Sequence, residues 1–169
     1  MARDDMELTD SGPELVVLIG AAGAGKSTWA AARYRPSQVV SLDGLRAVVA
    51  DDECDQDATA DAVALLVTIV NARLSRRLTT VVDATNGVLT ERAELLSAAA
   101  RHQVPAAAVV FGTPLETCLD RQRHRPAALP GRRWGRAVPD SVVRNQHQRT
   151  LDSLATLTAE GFARVVRVG

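Results

Sequence analysis

The chain has 169 residues, an apolar fraction of 46% drawn largely from alanine and valine, and 20 basic residues against 20 acidic ones. That length supports one domain with a substantial core, while zero net charge excludes a global field that gathers nucleic acid, and five aromatics (Trp29, Tyr34, Phe111, Trp134, Phe162) exclude a broad base-stacking platform. The charge is unevenly spread: residues 1–60 carry eleven acids and five bases, net −6, and residues 61–169 carry nine acids and fifteen bases, net +6, so a local basic surface is compatible with a neutral chain.

Residues 1–13 are polar and mixed in charge, and read as a flexible leader. They contain no apolar signal region, and no apolar run is long enough to span a bilayer, so a cytoplasmic protein without membrane contact is expected. One domain is expected over residues 14–169. Leu15 to Ile19 is a continuous apolar, β-branched run, the pattern of a buried strand. Gly20-Ala21-Ala22-Gly23-Ala24-Gly25-Lys26-Ser27-Thr28 follows at once and fits GxxxxGK[ST], the phosphate-binding loop. Glycines permit torsions closed to other residues, and successive N–H groups then turn inward as an anion nest. A helix beginning near Lys26 adds its positive end. Lys26 is the only lysine in the chain; an ammonium on a flexible stem reaches β- and γ-phosphates in a way arginine's planar fork does not. Ser27 supplies a hydroxyl for Mg²⁺. ATP with Mg²⁺ is therefore the expected ligand of the loop.

The helix from Lys26 to Arg33 is stopped by Pro36, and Gln38 to Ser41 is a short strand. Leu42-Asp43-Gly44 leads into a short helix through about Ala50, followed by an acidic loop, Asp51 to Asp57. Thr59 to Arg77 is a long helix with Val63, Leu66, Val67, Val70 and Leu74 on one face. Thr79 to Val82 is a strand that ends at Asp83-Ala84-Thr85-Asn86. Thr90 is expected to cap a helix to about His102, with Glu91 and Glu94 in its first turns. Val104 to Phe111 is a strand, and Thr113-Pro114 opens a helix to about Arg121. Arg123 to Pro139 holds three prolines, two glycines and many arginines, the composition of a loop or lid. Asp140 caps a helix to about Ala159, and Ala163 to Val168 closes the chain as a strand. Strands alternating with helices imply a three-layer α/β fold, a parallel sheet of about five strands with helices on both faces. The phosphate loop, Asp43 and Asp83 all follow strand ends, where such sheets place their ligands.

Phosphoryl transfer needs a positioned donor, a metal, cationic cover for the equatorial oxygens and a group to orient the nucleophile. Asp43 fits a general base for an attacking hydroxyl, or a cap for the helix that follows. Arg46, one turn on, fits an arginine reaching a substrate phosphate, or a solvated helix residue. Asp83 fits a Walker-B-type acid holding Mg²⁺ through water, or a residue that fixes the next loop. Arg121 and Arg125 have i, i+4 spacing and would present one cationic face if their helix continues; Arg132, Arg133 and Arg136 come soon after. His102, His124 and His147 show no ligand spacing and read as surface histidines. Cys54 and Cys118 match no metal or redox spacing and read as reduced, unpaired thiols. The acids from Asp51 to Asp57 read as a solvated loop, one of which would line an acceptor site if a metal lies nearby.

The segments LVVLIGAAGAGKST, VVSLDGLR, DDECDQDAT, LTTVVDATN, AVVFGTPLETCLDRQRHR and VPDSVVRNQHQ, in this order, resemble the 5′-OH polynucleotide kinase domain of bacterial polynucleotide kinase–phosphatase end-healing enzymes. The chain is more distantly similar to the bacteriophage polynucleotide kinase. The likeness runs from about Leu15 to Val168 and implies a P-loop kinase fold with an arginine-rich lid at about 121–139. It implies that Gly20 to Thr28 hold the donor's phosphates, with Lys26 on them and Ser27 and Asp83 toward Mg²⁺. Asp43 is then the general base for a 5′-hydroxyl, and Arg46 contacts the acceptor's phosphate. Arg121 and Arg125 are lid arginines over the ATP phosphates, and Arg136 and Arg144 fall where the family has further arginines. The stretch Pro126 to Gly135 is longer than the family's lid, and its Trp134 fits either a base-stacking ring or a hydrophobic anchor. No phosphatase or ligase region follows Gly169, so an excised kinase domain or a free-standing relative is expected. The acceptor implied is a single-stranded nucleic acid 5′-OH end. The other readings are a kinase for a small hydroxylated metabolite or antibiotic, and an ATP-binding switch that transfers nothing.

Overall fold

β1 (Leu15–Ile19) is buried at every residue, and its alternation divides the molecule. Leu15, Val17 and Ile19 face one apolar cluster, Val16 and Leu18 the other. The computed structural model describes residues 12–125 and 137–169. All but residues 12 and 13 of the expected leader lie outside the described residues, as does the lid stretch 126–136 with Arg132, Arg133, Trp134 and Arg136.

After β1 come α1 (Lys26–Arg33), a 3₁₀ turn at Pro36–Gln38, β2 (Val39–Ser41), α2 (Leu42–Ala50), α3 (Thr59–Leu74) and β3 (Thr80–Asp83). Then follow α4 (Leu89–Arg101), β4 (Ala106–Phe111), α5 (Leu115–Arg123), α6 (Asp140–Ser153), α7 (Leu157–Glu160) and β5 (Arg164–Val168). The sheet order is β2-β3-β1-β4-β5 and every pairing is parallel. One face packs on Leu66, Val70 and Leu74 of α3, Leu95 and Ala98 of α4, and Leu157 of α7. The other packs on Ala30 of α1, Cys118 and Leu119 of α5, and Val143 of α6. This is the expected three-layer α/β fold, with β1 and β4 central and therefore apolar along their whole length. Each fully buried Val, Leu or Ile contributes about 1.5–3 kcal/mol.

Several boundaries differ from the sequence pattern. α3 ends at Leu74 rather than Arg77, because Arg77 takes a positive φ of 57° and Leu78 N–H returns to the Arg73 carbonyl. Its buried stripe is Ala62, Leu66, Val70 and Leu74, strict i, i+4 spacing; Val63 lies beside the stripe and is exposed, and Val67 is half-buried. Thr90 does not cap α4: the helix starts at Leu89, so Thr90 lies within the first turn, and Val88 stands at the cap with no side-chain bond. Asp140 likewise opens α6 behind Pro139 and does not cap it.

The last expected helix is two. Ser153 Oγ donates to the Arg149 carbonyl and accepts from Arg92, the chain tightens as Leu154 N–H bonds Leu151 O, and α7 follows. The break sets Glu160 against Arg92, which donates to it through Nε and Nη2 at 2.7 Å each. Among the described residues no helix is long and apolar enough to cross a membrane.

Candidate active site

The loop between β1 and α1 depends on its glycines. Gly25 caps α1 with φ 96°, and Gly23 has φ 83°. A Cβ on Gly23 would lie 2.6 Å from the Cys118 carbonyl oxygen, so α5 is packed against the loop as closely as backbone permits. Positive φ at these two positions and the start of α1 together make the N–H nest that the motif predicts. Neighbouring elements hold the loop's outer rim. Thr113 Oγ1 donates to Ala24 O (2.8 Å), Arg121 Nη1 donates to Gly23 O (2.9 Å), and Gly20 N–H donates to Thr85 O (3.2 Å).

Lys26 is buried, and its Nζ donates to Gly20 O (2.8 Å) and Ala21 O (2.9 Å) of its own loop. Burial pushes its ammonium below the usual lysine range; the Asp83 carboxylate opposes that. Ser27 Oγ donates to Asp83 Oδ2 at 2.6 Å. Burial raises the Asp83 carboxyl above the ordinary range, against the Ser27 bond and Lys26. A hydroxyl and a carboxylate side by side at the mouth of a phosphate nest fit Mg²⁺, which keeps waters and is shared with phosphate oxygens. Among the described residues no group of three or more His, Cys, Asp or Glu could cage a metal.

Asp43 lies in the first turn of α2 but is not its cap. Ser41 is, its hydroxyl accepting from Gly44 N–H at 3.3 Å. Freed of capping, the Asp43 side chain is 68% exposed and pairs with Arg46 Nη1. Arg46 is not a solvated helix residue: it is buried, and its Nε donates to Thr59 Oγ1 at 3.0 Å, tying α2 to the start of α3.

These side chains converge. Ala22 to Thr28, Asp43, Arg46, Asp83, Arg121 and Arg125 all line one open cavity of about 860 Å³. α5 ends at Arg123, so Arg125 is beyond the helix, yet it still reaches the cavity beside Arg121. Gly20 and Ala21 are not among its lining residues. Arg144 stands 4.0 Å from Glu116 between α6 and α5, away from the cavity lining. Arg136 lies outside the described residues. Of the acidic loop, Glu53 reaches the cavity, with Gln56 beside it. His102 and His147 are half-buried rather than on the surface, their rings against Asn71 Oδ1 and Thr113 O. Neither Cys54 nor Cys118 is in a disulfide.

Sequence reasoning missed several lining residues. Trp29 and Arg33, on α1, form one wall, with the Arg33 guanidinium 4.7 Å from the Trp29 ring centroid. Their places one and five residues past the motif are the available signal. Gln146 of α6 bonds the phosphate loop directly, its Oε1 accepting from Ala22 N–H at 2.9 Å. Nothing local in the sequence marks it.

A family model described as AAA domain matches residues 15–155. Among solved structures, the chain is similar to one in the Pnkp1/Rnl/Hen1 RNA repair complex, with 22% identity and TM-score 0.70 over 93% of this chain and 49% of that one. It therefore spans about half the length of that relative. A gluconokinase from Sinorhizobium meliloti 1021 is similar at 20% identity and TM-score 0.54, over 94% of this chain and 83% of that one. Kti12 of Chaetomium thermophilum, solved with ADP-AlF3, is similar at 20% identity and TM-score 0.61, over 92% and 88%. No curated protein sequence matches the chain.

Proposed function

The chain belongs to the AAA domain family, and from that premise we propose that it is a P-loop kinase that transfers the γ-phosphate of ATP to a hydroxyl, the 5′-OH end of a polynucleotide. The observation that carries the reading is the Asp43–Arg46 pair. It opens, uncommitted to any helix cap, onto the same cavity as Lys26, Ser27 and Asp83.

The acceptor's hydroxyl oxygen attacks the γ-phosphorus, its proton passes to the Asp43 carboxylate, and the bond from the γ-phosphorus to the β–γ bridging oxygen breaks to release ADP. Arg46 holds Asp43 in place from a buried position and presents positive charge to a phosphate on the acceptor. Lys26 and the loop's N–H groups hold the donor's phosphates; Arg121 and Arg125 add positive charge where the transferring group's oxygens gather it. Ser27 and Asp83 are the residues to hold Mg²⁺, which supplies charge neutralisation on the phosphate oxygens when bound.

A polynucleotide acceptor is supported by the ordered segments around Asp43, Gln56 and Asp83, and by the similarity to a chain of an RNA repair complex. A small hydroxylated acceptor is supported by the neutral net charge and by the gluconokinase neighbour. The deciding experiment is transfer from γ-labelled ATP with Mg²⁺ to a 5′-OH single-stranded oligonucleotide, its 5′-phosphorylated twin, and no acceptor. Label on the 5′-OH strand alone is the expected result. ATP bound with no strand labelled would turn the assignment to a small acceptor.

A further inference from the structure

We infer that Gln146 is a catalytic residue of this site, its carboxamide N–H donating to an oxygen of the phosphoryl group in transfer; this rests on the phosphotransfer reading above. One peptide unit of the phosphate loop joins Lys26 to Gln146. The carbonyl of Ala21 accepts from Lys26 Nζ, and the N–H on the other side of that peptide, belonging to Ala22, donates to Gln146 Oε1. Lysine at this position of the motif reaches the β- and γ-phosphates. The Ala21–Ala22 peptide is thus at the terminal-phosphate end of the loop, and Gln146 is bonded to it.

The side chain's direction is fixed by its element. Val143, three residues earlier on the same face of α6, is fully buried in the apolar cluster that includes Val16, Leu18, Cys118 and Leu119. That packing sets the rotation of α6 and holds Gln146 over the loop. With Oε1 committed to Ala22, Nε2 makes no hydrogen bond to any described residue. A second cavity of about 450 Å³ lies between α6 and the β3–α4 connection, lined by Gly87, Glu91, Asn145 and Arg149 among others. Gln146 lines both this cavity and the one that holds the phosphate loop. An amide whose acceptor end is anchored on the phosphate loop and whose donor end is left over, in the cavity that also holds Lys26, Asp43 and Arg46, is arranged to meet charge that develops on the transferring group.

Two replacements of similar size separate this role from simple loop anchoring. Gln146→Glu keeps an oxygen for Ala22 N–H but replaces the donor by a negative charge; Gln146→Met removes both ends. A phosphoryl contact predicts that kcat falls about 10²–10³-fold in Gln146→Met, the cost of one lost donor to a developing oxyanion, and at least as far in Gln146→Glu, which adds a negative charge. It also predicts, by calorimetry with Mg²⁺, that Gln146→Glu weakens a non-hydrolysable ATP analogue against ADP, since only the former carries the γ-phosphate. If Gln146→Glu matches the wild type in both measurements while Gln146→Met fails, the amide only anchors the loop and the inference is overturned. The binding comparison needs no acceptor, so it stands even if the polynucleotide assignment fails. A wild-type chain that binds neither nucleotide would sink the proposed function and this inference together.

Discussion

Lys26 concentrates the argument at the scale of single residues. Its ammonium already lies on the Gly20 and Ala21 carbonyls, so the site is preset and loses little order when phosphates arrive. Lys26→Ala should therefore abolish transfer and leave the far-ultraviolet circular dichroism unchanged; near-normal turnover would remove the phosphate-loop assignment. Asp43 is exposed and, among the described residues, bonded only to Arg46, so Asp43→Asn should keep ATP binding and lower kcat by about 10²–10⁴-fold, the range of a general base. Weaker binding with normal turnover would make it a structural residue. Lys26, Ser27, Asp43, Arg46 and Asp83 were legible in the sequence because each follows a strand end or sits at fixed spacing from one. Gln146 was not: its partner is 124 positions away, and only the packing of Val143 brings the two together.

Elements were legible where period and burial agree, and less so where one side chain redirects the chain. β1 and β4 are read at once from unbroken apolar runs. The division of α6 from α7 was hidden because Arg92, which bonds Ser153 and Glu160 on either side of it, belongs to another helix. Its guanidinium spans Asn86 O, Ser153 Oγ and Glu160, so three elements meet on one buried cation. Arg92→Ala should cost about 3–5 kcal/mol, the cost of stranding the partner of a buried pair, read as a lower urea midpoint. The pair also sets an acid limit. The Arg92 bonds hold the Glu160 carboxyl below its ordinary range, so its stabilisation is complete above the unfolded value of about 4.5 and is lost as pH falls through the lower folded one. Stability of the wild type should fall across that window, and Arg92→Ala should flatten the fall; parallel curves would show that other carboxylates govern it.

Over the whole molecule, the order β2-β3-β1-β4-β5 puts the ends of β2, β3 and β1 side by side, and so sets Asp43, Asp83 and the phosphate loop around one cavity. That much followed from alternation alone; the position of Gly23 against Cys118, and of α6 over the loop, did not. The neutral net charge has a kinetic consequence. Affinity for a polynucleotide must come from a few arginines, and should fall with salt by a slope of about −0.7 per strand phosphate neutralised. An acceptor KM that barely moves between low and high salt would favour a small substrate. The lone lysine has a consequence for labelling. Apart from the α-amine, the chain offers one primary amine to an acylating reagent, and that amine is enclosed by the loop whose ligand it awaits. A second mass increment on intact protein, beyond that of the α-amine, should then report occupancy of the site, slow in the free protein and suppressed by nucleotide, with no substitution made.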